Sequence, residues 1–249
     1  MNRTGKTLLL LGGTSDIGRA TALAYAMAGW DVQLAARRLD ALEREADDIR
    51  TRSGSTVTTH QLDILETSSF LRFLEALPSL PDTVVCVIGE LGEQPRAEKD
   101  LEHATAVMRT NFEGPALLLG MIAERFQARG SGSIVGVSSV AGDRGRASNY
   151  VYGAAKAGFT AFLSGLRNRM ASTGVRVVTV KPGFVRTRMT AGMPLPGLLT
   201  AEPEEVGKAI LKAAETSRSR DVIYVRGIWW PLMSVIRSIP EPVFKRLRL

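Results

Sequence analysis

Short apolar runs alternate along this chain with longer segments whose apolar residues recur at helical spacing. The first run, Lys6–Leu11, is continuously apolar from Leu8 on, which suits a strand buried on both faces. A helical pattern follows over Ile17–Ala28, closed by Gly29, and then a second strand over Asp31–Ala36. Leu39–Arg52 reads as an exposed, charge-laced helix, Thr56–Leu62 as a strand and Ser68–Leu77 as a helix. The pattern predicts a buried strand over Thr83–Ile88 and a long helical region over Lys99–Arg129, interrupted near Gly114 and Pro115. Ser133–Ser138 (strand), Asn149–Ser172 (helix), Val175–Lys181 (strand), Pro203–Ser217 (helix) and Asp221–Val225 (strand) complete the order.

Strand–helix alternation of this kind makes parallel strands joined by right-handed crossovers. The expected fold class is α/β: a single-domain, Rossmann-type, doubly wound parallel sheet of about seven strands with helices on both faces. The domain is expected over 1–227, with an amphipathic basic extension over 228–249. No apolar stretch is long enough to span a bilayer, and the N-terminus lacks a signal-peptide pattern. The single cysteine, Cys86, rules out an internal disulfide framework and fits a reducing, cytoplasmic compartment. The net charge of +7 is carried by scattered residues with no nucleic-acid motif, so anionic ligands or lipid fit it better than nucleic acid.

Between the first strand and the first helix lies Gly12-Gly13-Thr14-Ser15-Asp16-Ile17-Gly18. A glycine-rich turn that opens a helix aims backbone N–H groups at a pyrophosphate, so Gly12, Thr14, Ser15, Asp16, Ile17 and Gly18 are candidate dinucleotide contacts. Asp16 stands where such loops carry a middle glycine, and at a helix start its carboxylate is expected to cap N–H groups. The second strand ends at Ala36, where an NAD-specific site places an acid, and Arg37 and Arg38 follow. Two guanidinium groups suit a 2′-phosphate, which favours NADP(H) over NAD(H). A solvated helix start is the plainer alternative for the pair, and Ser15 supplies no second basic residue inside the loop.

The second constellation lies in SSVAGDRGRASNYVYGAAKAG. Tyr152 and Lys156 are spaced i, i+4 and share a helix face, so an ammonium one turn away is expected to lower the phenol pKa. Ser139, on the loop after a strand, is placed to hold the substrate oxygen that Tyr152 protonates or deprotonates.

These residues carry a resemblance to the short-chain dehydrogenase/reductase family, over about Thr7 to Val225. Tyr152-Gly153-Ala154-Ala155-Lys156 matches the family's YxxxK, with Ser139 thirteen residues before the tyrosine. The resemblance implies that Asn111 holds a water of the proton relay. It also implies that Asp63 lies beside the adenine, and that Pro182, Gly183, Val185 and Thr187 contact the nicotinamide end. Gly89 remains of the family's NNAG stretch, here Cys86-Val87-Ile88-Gly89, so hydrogen bonds at that strand end must be made otherwise. The implied activity is hydride transfer between a ketone and a secondary alcohol, in a homodimer or homotetramer. A non-catalytic dinucleotide sensor is the remote alternative. His60 and His103 have no neighbours at metal-ligand spacing, so no metal is expected.

Substrate is addressed by two segments. MTAGMPLPGLLTAEP, after the sixth strand, is an apolar lid. The tail GIWWPLMSVIRSIPEPVFKRLRL interleaves Trp229, Trp230, Met233 and Phe244 with Arg237, Lys245, Arg246 and Arg248, the composition of an interfacial membrane segment or of a tail packed over its own or a neighbouring subunit. Within the family, LLLLGGTSDIG, NYVYGAAKAG, VKPGFVRTRM and IRSIPEPVFKRL are similar to the reductases of decaprenylphosphoryl-2-keto-ribose. That similarity implies a lipid-linked keto-sugar and peripheral association with the inner membrane. Small soluble ketones, 3-oxoacyl compounds and steroid-like compounds remain open as substrates.

Overall fold

The computed structural model describes residues 4–216 and 220–247. Seven parallel strands form one sheet: β1 (Thr7–Leu11), β2 (Asp31–Ala36), β3 (Val57–Gln61), β4 (Thr83–Cys86), β5 (Gly132–Val137), β6 (Val175–Lys181) and an edge strand, Val222–Tyr224. Two short strands, β7 (Phe184–Val185) and β8 (Thr200–Ala201), pair beside it, which makes the edge strand β9. The sheet order is β3-β2-β1-β4-β5-β6-β9, so it reverses direction between β1 and β4. In open α/β sheets the crevice outside the carboxyl ends at such a reversal is where ligands bind.

Buried on both faces, β1 shows why its sequence lacks polar alternation. Leu8 and Leu10 enter one core with α1 (Asp16–Met27), α2 (Leu39–Ser53) and α8 (Pro203–Glu215). Leu9 and Leu11 enter the other, with α3 (Phe70–Glu75), α6 (Gly114–Arg129) and α7 (Tyr150–Met170). All four leucines are fully buried, as successive strand residues facing two apolar layers must be. Cys86 is likewise buried in β4, and burial pushes its thiol pKa up to about 11, which leaves it inert.

Several elements differ from the sequence expectation. The helical region after β4 begins with α4 (Gln94–Ala97) and α5 (Leu101–Met108). Its interruption is a π-turn over Arg109–Glu113, directly before Gly114 and Pro115. Pro115 lies in the first turn of α6, where its missing N–H costs nothing. The segment expected as one helix over 68–77 opens with a tight turn at Thr67–Ser69 before α3. The helix expected to reach Ser217 ends at Glu215; Ser217 and Arg248 lie outside the described residues. After β9 the chain forms α9 (Trp229–Ser238) and α10 (Glu241–Phe244), packed against its own catalytic side. Among the described residues, no helix is long and apolar enough to cross a membrane.

Candidate active site

Four strand ends deliver the site. Gly12 follows β1, Gly89 follows β4, Ser139 follows β5 and Pro182 follows β6. Gly12 adopts φ +100°, which an L side chain rarely reaches, and a Cβ on Gly18 would fall 2.3 Å from the Gly12 carbonyl oxygen. The expected tight turn and close helix–strand packing are both present. Ser15, and not Asp16, caps α1, its Oγ accepting from the Gly18 N–H at 3.0 Å. Asp16 instead turns outward and holds Arg188: Oδ2 accepts from the Arg188 N–H at 2.7 Å and Oδ1 from its Nε at 3.0 Å. The same guanidinium donates to the Thr14 carbonyl at 2.5 Å. The Asp16 carboxylate is thereby neutralised at the start of α1, close to the glycine turn.

Beyond this loop, a cleft is lined by Thr14, Arg19, Arg38, Ala41, Arg44, Glu45, Asp48 and Arg188, with Arg19 paired to Glu45, Arg44 to Asp40 and Arg188 to Asp16. Arg38 faces it, whereas Arg37 is outside it and only its carbonyl is engaged, by Gln61 at 3.3 Å. Arg19, Arg44 and Arg188 were not among the expected contacts; a guanidinium directly after Gly18 and another directly after Thr187 were the available signals. Asp63 closes a local turn by accepting from the Leu65 N–H, at the end of β3.

Ser139, Tyr152 and Lys156 line one cavity of about 140 Å³, together with Gly89, Pro182, Gly183, Val185 and Thr187. Ser138 belongs to the scaffold: its hydroxyl donates to the Lys156 carbonyl at 2.9 Å and meets Thr160 Oγ1 at 2.7 Å, tying β5 to α7. Ser139 is free of that bond: its Oγ accepts from the Ala141 N–H at 3.1 Å and also meets the Tyr152 hydroxyl. Lys156 is buried, its Nζ donating to the Val137 carbonyl at 3.2 Å and lying 5.7 Å from the centre of the Tyr152 ring. Asn111 is fully buried in the π-turn. Its Nδ2 donates to the carbonyls of Glu90 (2.7 Å) and Val107 (2.9 Å), and its Oδ1 accepts from the Glu90 N–H (3.2 Å). This amide clasp does the work of the missing NNAG asparagines. Both amide protons of Asn111 are spent on it, so its side chain positions the main chain after Gly89.

Electrostatically the pair behaves differently from the expectation. Burial pushes the Tyr152 phenol up to about 12, opposed by its hydrogen bond with Ser139, instead of the ammonium drawing it down. Burial pushes Lys156 down to about 8. Desolvation is the larger effect on both groups, and no carboxylate lines the cavity to hold the lysine charged. The linkage follows from Lys156. An unfolded lysine keeps its proton to about 10.5, so between about 8 and 10.5 the unfolded chain binds more protons and stability rises with pH. Below about 8 the buried charge costs about 3 kcal/mol. Lys156→Met is therefore expected to raise Tm at pH 7 by several degrees while abolishing turnover, and the Tm gain should shrink toward pH 10. Calorimetry across that range checks it; a lower Tm at pH 7 would contradict the cost.

The tail completes the cavity wall. Trp229 is buried over Gly183, where a Cβ would fall 1.8 Å from the indole. Its Nε1 donates to the Leu199 carbonyl at 3.1 Å, and its ring meets Phe184 edge-on at 5.7 Å. Met189, Thr190 and Met193 of the lid line the same cavity. Arg144, on the loop from Ser139 to Asn149, closes the C-terminus of α9 by donating to the carbonyls of Ile236, Arg237 and Ile239. It also pairs with Glu241 at 2.7 Å and stacks on Phe244 at 3.9 Å. Below that loop Asp143 accepts from Lys181 (2.5 Å) and Tyr224 (2.7 Å), a buried pair that anchors the loop to β6 and β9. Among the described residues no cluster of His, Cys, Asp and Glu is arranged to hold a metal. His60 meets Thr58 at 3.0 Å, and His103 accepts from the Glu93 N–H, both structural contacts.

The family model for short chain dehydrogenases matches residues 6–195. The chain belongs to the short-chain dehydrogenase family. It is 37% identical over 251 residues to an uncharacterized oxidoreductase of Mycobacterium tuberculosis, covering 99% of each chain. It is 32% identical over 188 residues to sulfoacetaldehyde reductase 2 of Chromohalobacter salexigens, covering 74% of each. Among solved structures, a short-chain dehydrogenase from Sphingobium yanoikuyae in complex with NADPH superposes with a TM-score of 0.80 at 25% identity, covering 95% of this chain and 97% of that one. The seven-stranded α/β sheet and oxidoreductase class expected from the sequence are those of this short-chain dehydrogenase.

Proposed function

We propose that this short-chain dehydrogenase interconverts a ketone and a secondary alcohol, using NADP(H) in preference to NAD(H). The observation that carries the reading is the convergence of Ser139, Tyr152 and Lys156 on one cavity at the carboxyl ends of the strands, beside a glycine turn open to a dinucleotide. The nicotinamide, when bound, supplies or accepts the hydride. Ser139 Oγ donates to the carbonyl oxygen, and the protonated Tyr152 phenol delivers the proton in reduction. Lys156 holds positive charge at the base of the cavity. NADP preference is supported by Arg38, which faces the cleft and is the one of its arginines, among the described residues, not paired with a carboxylate, and by the NADPH-bound relative.

The test is oxidation of NADPH and NADH in parallel against a panel of carbonyl compounds. Arg38→Ala is expected to raise the KM for NADPH about 10- to 100-fold, the loss of a charge-assisted bond to phosphate, with the KM for NADH nearly constant. Equal KM values for the two cofactors in the wild type would sink the preference.

On the substrate, the exposed end of the tail supports a lipid-linked keto-sugar. Trp230 and Val235 of the tail and Leu198 of the lid are 58%, 64% and 83% exposed, and Arg237, Lys245 and Arg246 of the tail are exposed as well. Contact with the inner membrane through this face follows from that reading. Replacing Trp230 and Val235 by serine is expected to reduce flotation with vesicles containing anionic lipid, with NADPH affinity maintained; undiminished flotation would remove the membrane contact. The sulfoacetaldehyde reductase relative supports the alternative, a small soluble carbonyl compound. Exposed Leu101, Met108, Phe112 and Leu117 along α5, the π-turn and α6 support a homodimer or homotetramer.

A further inference from the structure

Arg146 is the one side chain of the cavity whose presence the hydride-transfer reading leaves unexplained. It lines the cavity that holds Ser139 and Tyr152, and its Nε is buried with no hydrogen-bond partner. Its Nη2 has only the Met233 thioether, at 3.6 Å, a weak acceptor. Two ionised side chains line this cavity, Arg146 and Lys156; both are cationic, and no carboxylate lines it. Lys156 lies under Tyr152 on α7, bound to the Val137 carbonyl. The carboxylate nearest in sequence, Asp143, is committed to Lys181 and Tyr224. A half-buried guanidinium with an orphaned donor and no counter-ion is costly unless a ligand supplies the acceptor.

Further geometry narrows the ligand. The cleft assigned to the dinucleotide phosphates includes Thr14, Arg38 and Arg188 and not Arg146, so the cofactor's phosphates do not account for it. The guanidinium is fixed from behind, since Met233 is fully buried and Arg144, two residues away, clamps the end of α9. A second orphan, Asn149 Oδ1, is also buried without a partner and lines the same cavity, offering an acceptor for a hydroxyl or amide donor. The remaining wall is apolar, with Val140, Phe184, Met189, Met193 and Trp229. A planar fork of donors in such surroundings matches an oxyanion through two parallel bonds. Burial lowers the Arg146 pKa from its usual value, with Asp143 opposing, and a guanidinium remains charged at neutral pH regardless.

We propose that Arg146 is a specificity residue that binds an oxyanion of the substrate, a carboxylate or a phosphate-type group, so that the preferred substrates are carbonyl compounds carrying a negative charge near the reacting carbon. The proposal rests on the carbonyl-reductase reading and adds the class of substrate to it. Ser139 and Tyr152 take the carbonyl oxygen, Arg146 takes the anion, and Asn149 takes a donor from the same molecule.

The experiment compares matched probes with NADPH: acetoacetate against methyl acetoacetate, and acetonylphosphonate against its dimethyl ester. The wild type should favour each anion over its ester in kcat/KM. In Arg146→Met that ratio should fall about 30-fold or more, the scale of losing one partner of a buried charge pair, through KM for the anion. Arg146→Lys should recover part of the ratio. Tm and NADPH affinity are measured alongside, so that misfolding is told apart from lost recognition. A carboxylate and a phosphate-type anion are distinguished by which pair shows the larger ratio. A ratio that is the same in wild type and Arg146→Met, in folded protein, overturns the proposal. Calorimetric titration of acetoacetate and of acetonylphosphonate into the NADP⁺ complex needs no turnover. Anion binding that weakens in Arg146→Met keeps the oxyanion site even if no probe is reduced. Turnover without charge preference keeps the reductase and removes the site.

Discussion

Tyr152→Phe is expected to lower turnover by about 10²- to 10⁴-fold, the usual contribution of a positioned general acid, while NADPH binds as before. The expectation follows from where the phenol stands. It shares a narrow cavity with Ser139 and Lys156, and burial holds its pKa up to about 12. At neutral pH the group is therefore protonated, the form that reduction of a carbonyl requires. Phenylalanine keeps the ring and its packing against Val151 and Val107 and removes only the proton and the hydrogen bond to Ser139. Steady-state NADPH oxidation and fluorescence titration of NADPH, on folded protein of matched Tm, separate the two effects. Turnover within tenfold of the wild type would mean that another group supplies the proton. The pH dependence of reduction gives a second check with a defined sign. Lys156 loses its charge as pH rises through about 8. The reductive rate of the wild type should decline above that pH, where the cavity loses the ammonium that stabilises developing negative charge on the phenol oxygen.

Much of this site was legible in one dimension because its chemistry is set by short spacings. An i, i+4 pair has to share a helix face, and a serine after a buried strand has to stand at a strand end, so Ser139, Tyr152 and Lys156 needed no tertiary information. The same holds for Gly12 and Gly18, whose turn and close approach are local. The sheet was legible because Leu8 to Leu11, buried on both faces, cannot alternate with polar residues. What could not be read depends on residues far apart in the chain. Asp16 looks like an unfavourable neighbour for phosphate until Arg188, 172 positions away, closes on it. The asparagines missing after β4 look like a gap until Asn111 clasps Glu90 from the π-turn. The direction of the Tyr152 shift was misread for a related reason. Spacing gives the proximity of an ammonium, whereas the cost of burial depends on everything else around the ring, and here that cost is the larger effect.

The tail supplies the other large effect, through Trp229 and Gly183. Composition alone left its apolar residues free to face a membrane, a second subunit or the domain itself. The structure divides them: Trp229 and Met233 are buried against the catalytic loop, and Trp230 and Val235 face outward. Trp229→Ala is expected to destabilise the protein by about 3–5 kcal/mol, the range for removing a buried tryptophan, and to open the cavity wall beside Gly183. Gly183→Ala is expected to be damaging for the complementary reason, because its methyl group would enter the space of the indole, 1.8 Å from the nearest ring carbon. If the two residues act on one another as this contact requires, their effects cannot add. The double variant, with alanine at both positions, gives the new methyl group room, so it should be more stable than the sum of the single losses by at least about 1 kcal/mol. Urea unfolding of the four proteins measures the coupling. Additive losses would place Trp229 away from Gly183 and would make the tail an appendage. A favourable coupling makes it part of the cavity wall, one whose loss loosens the cavity as well as the fold.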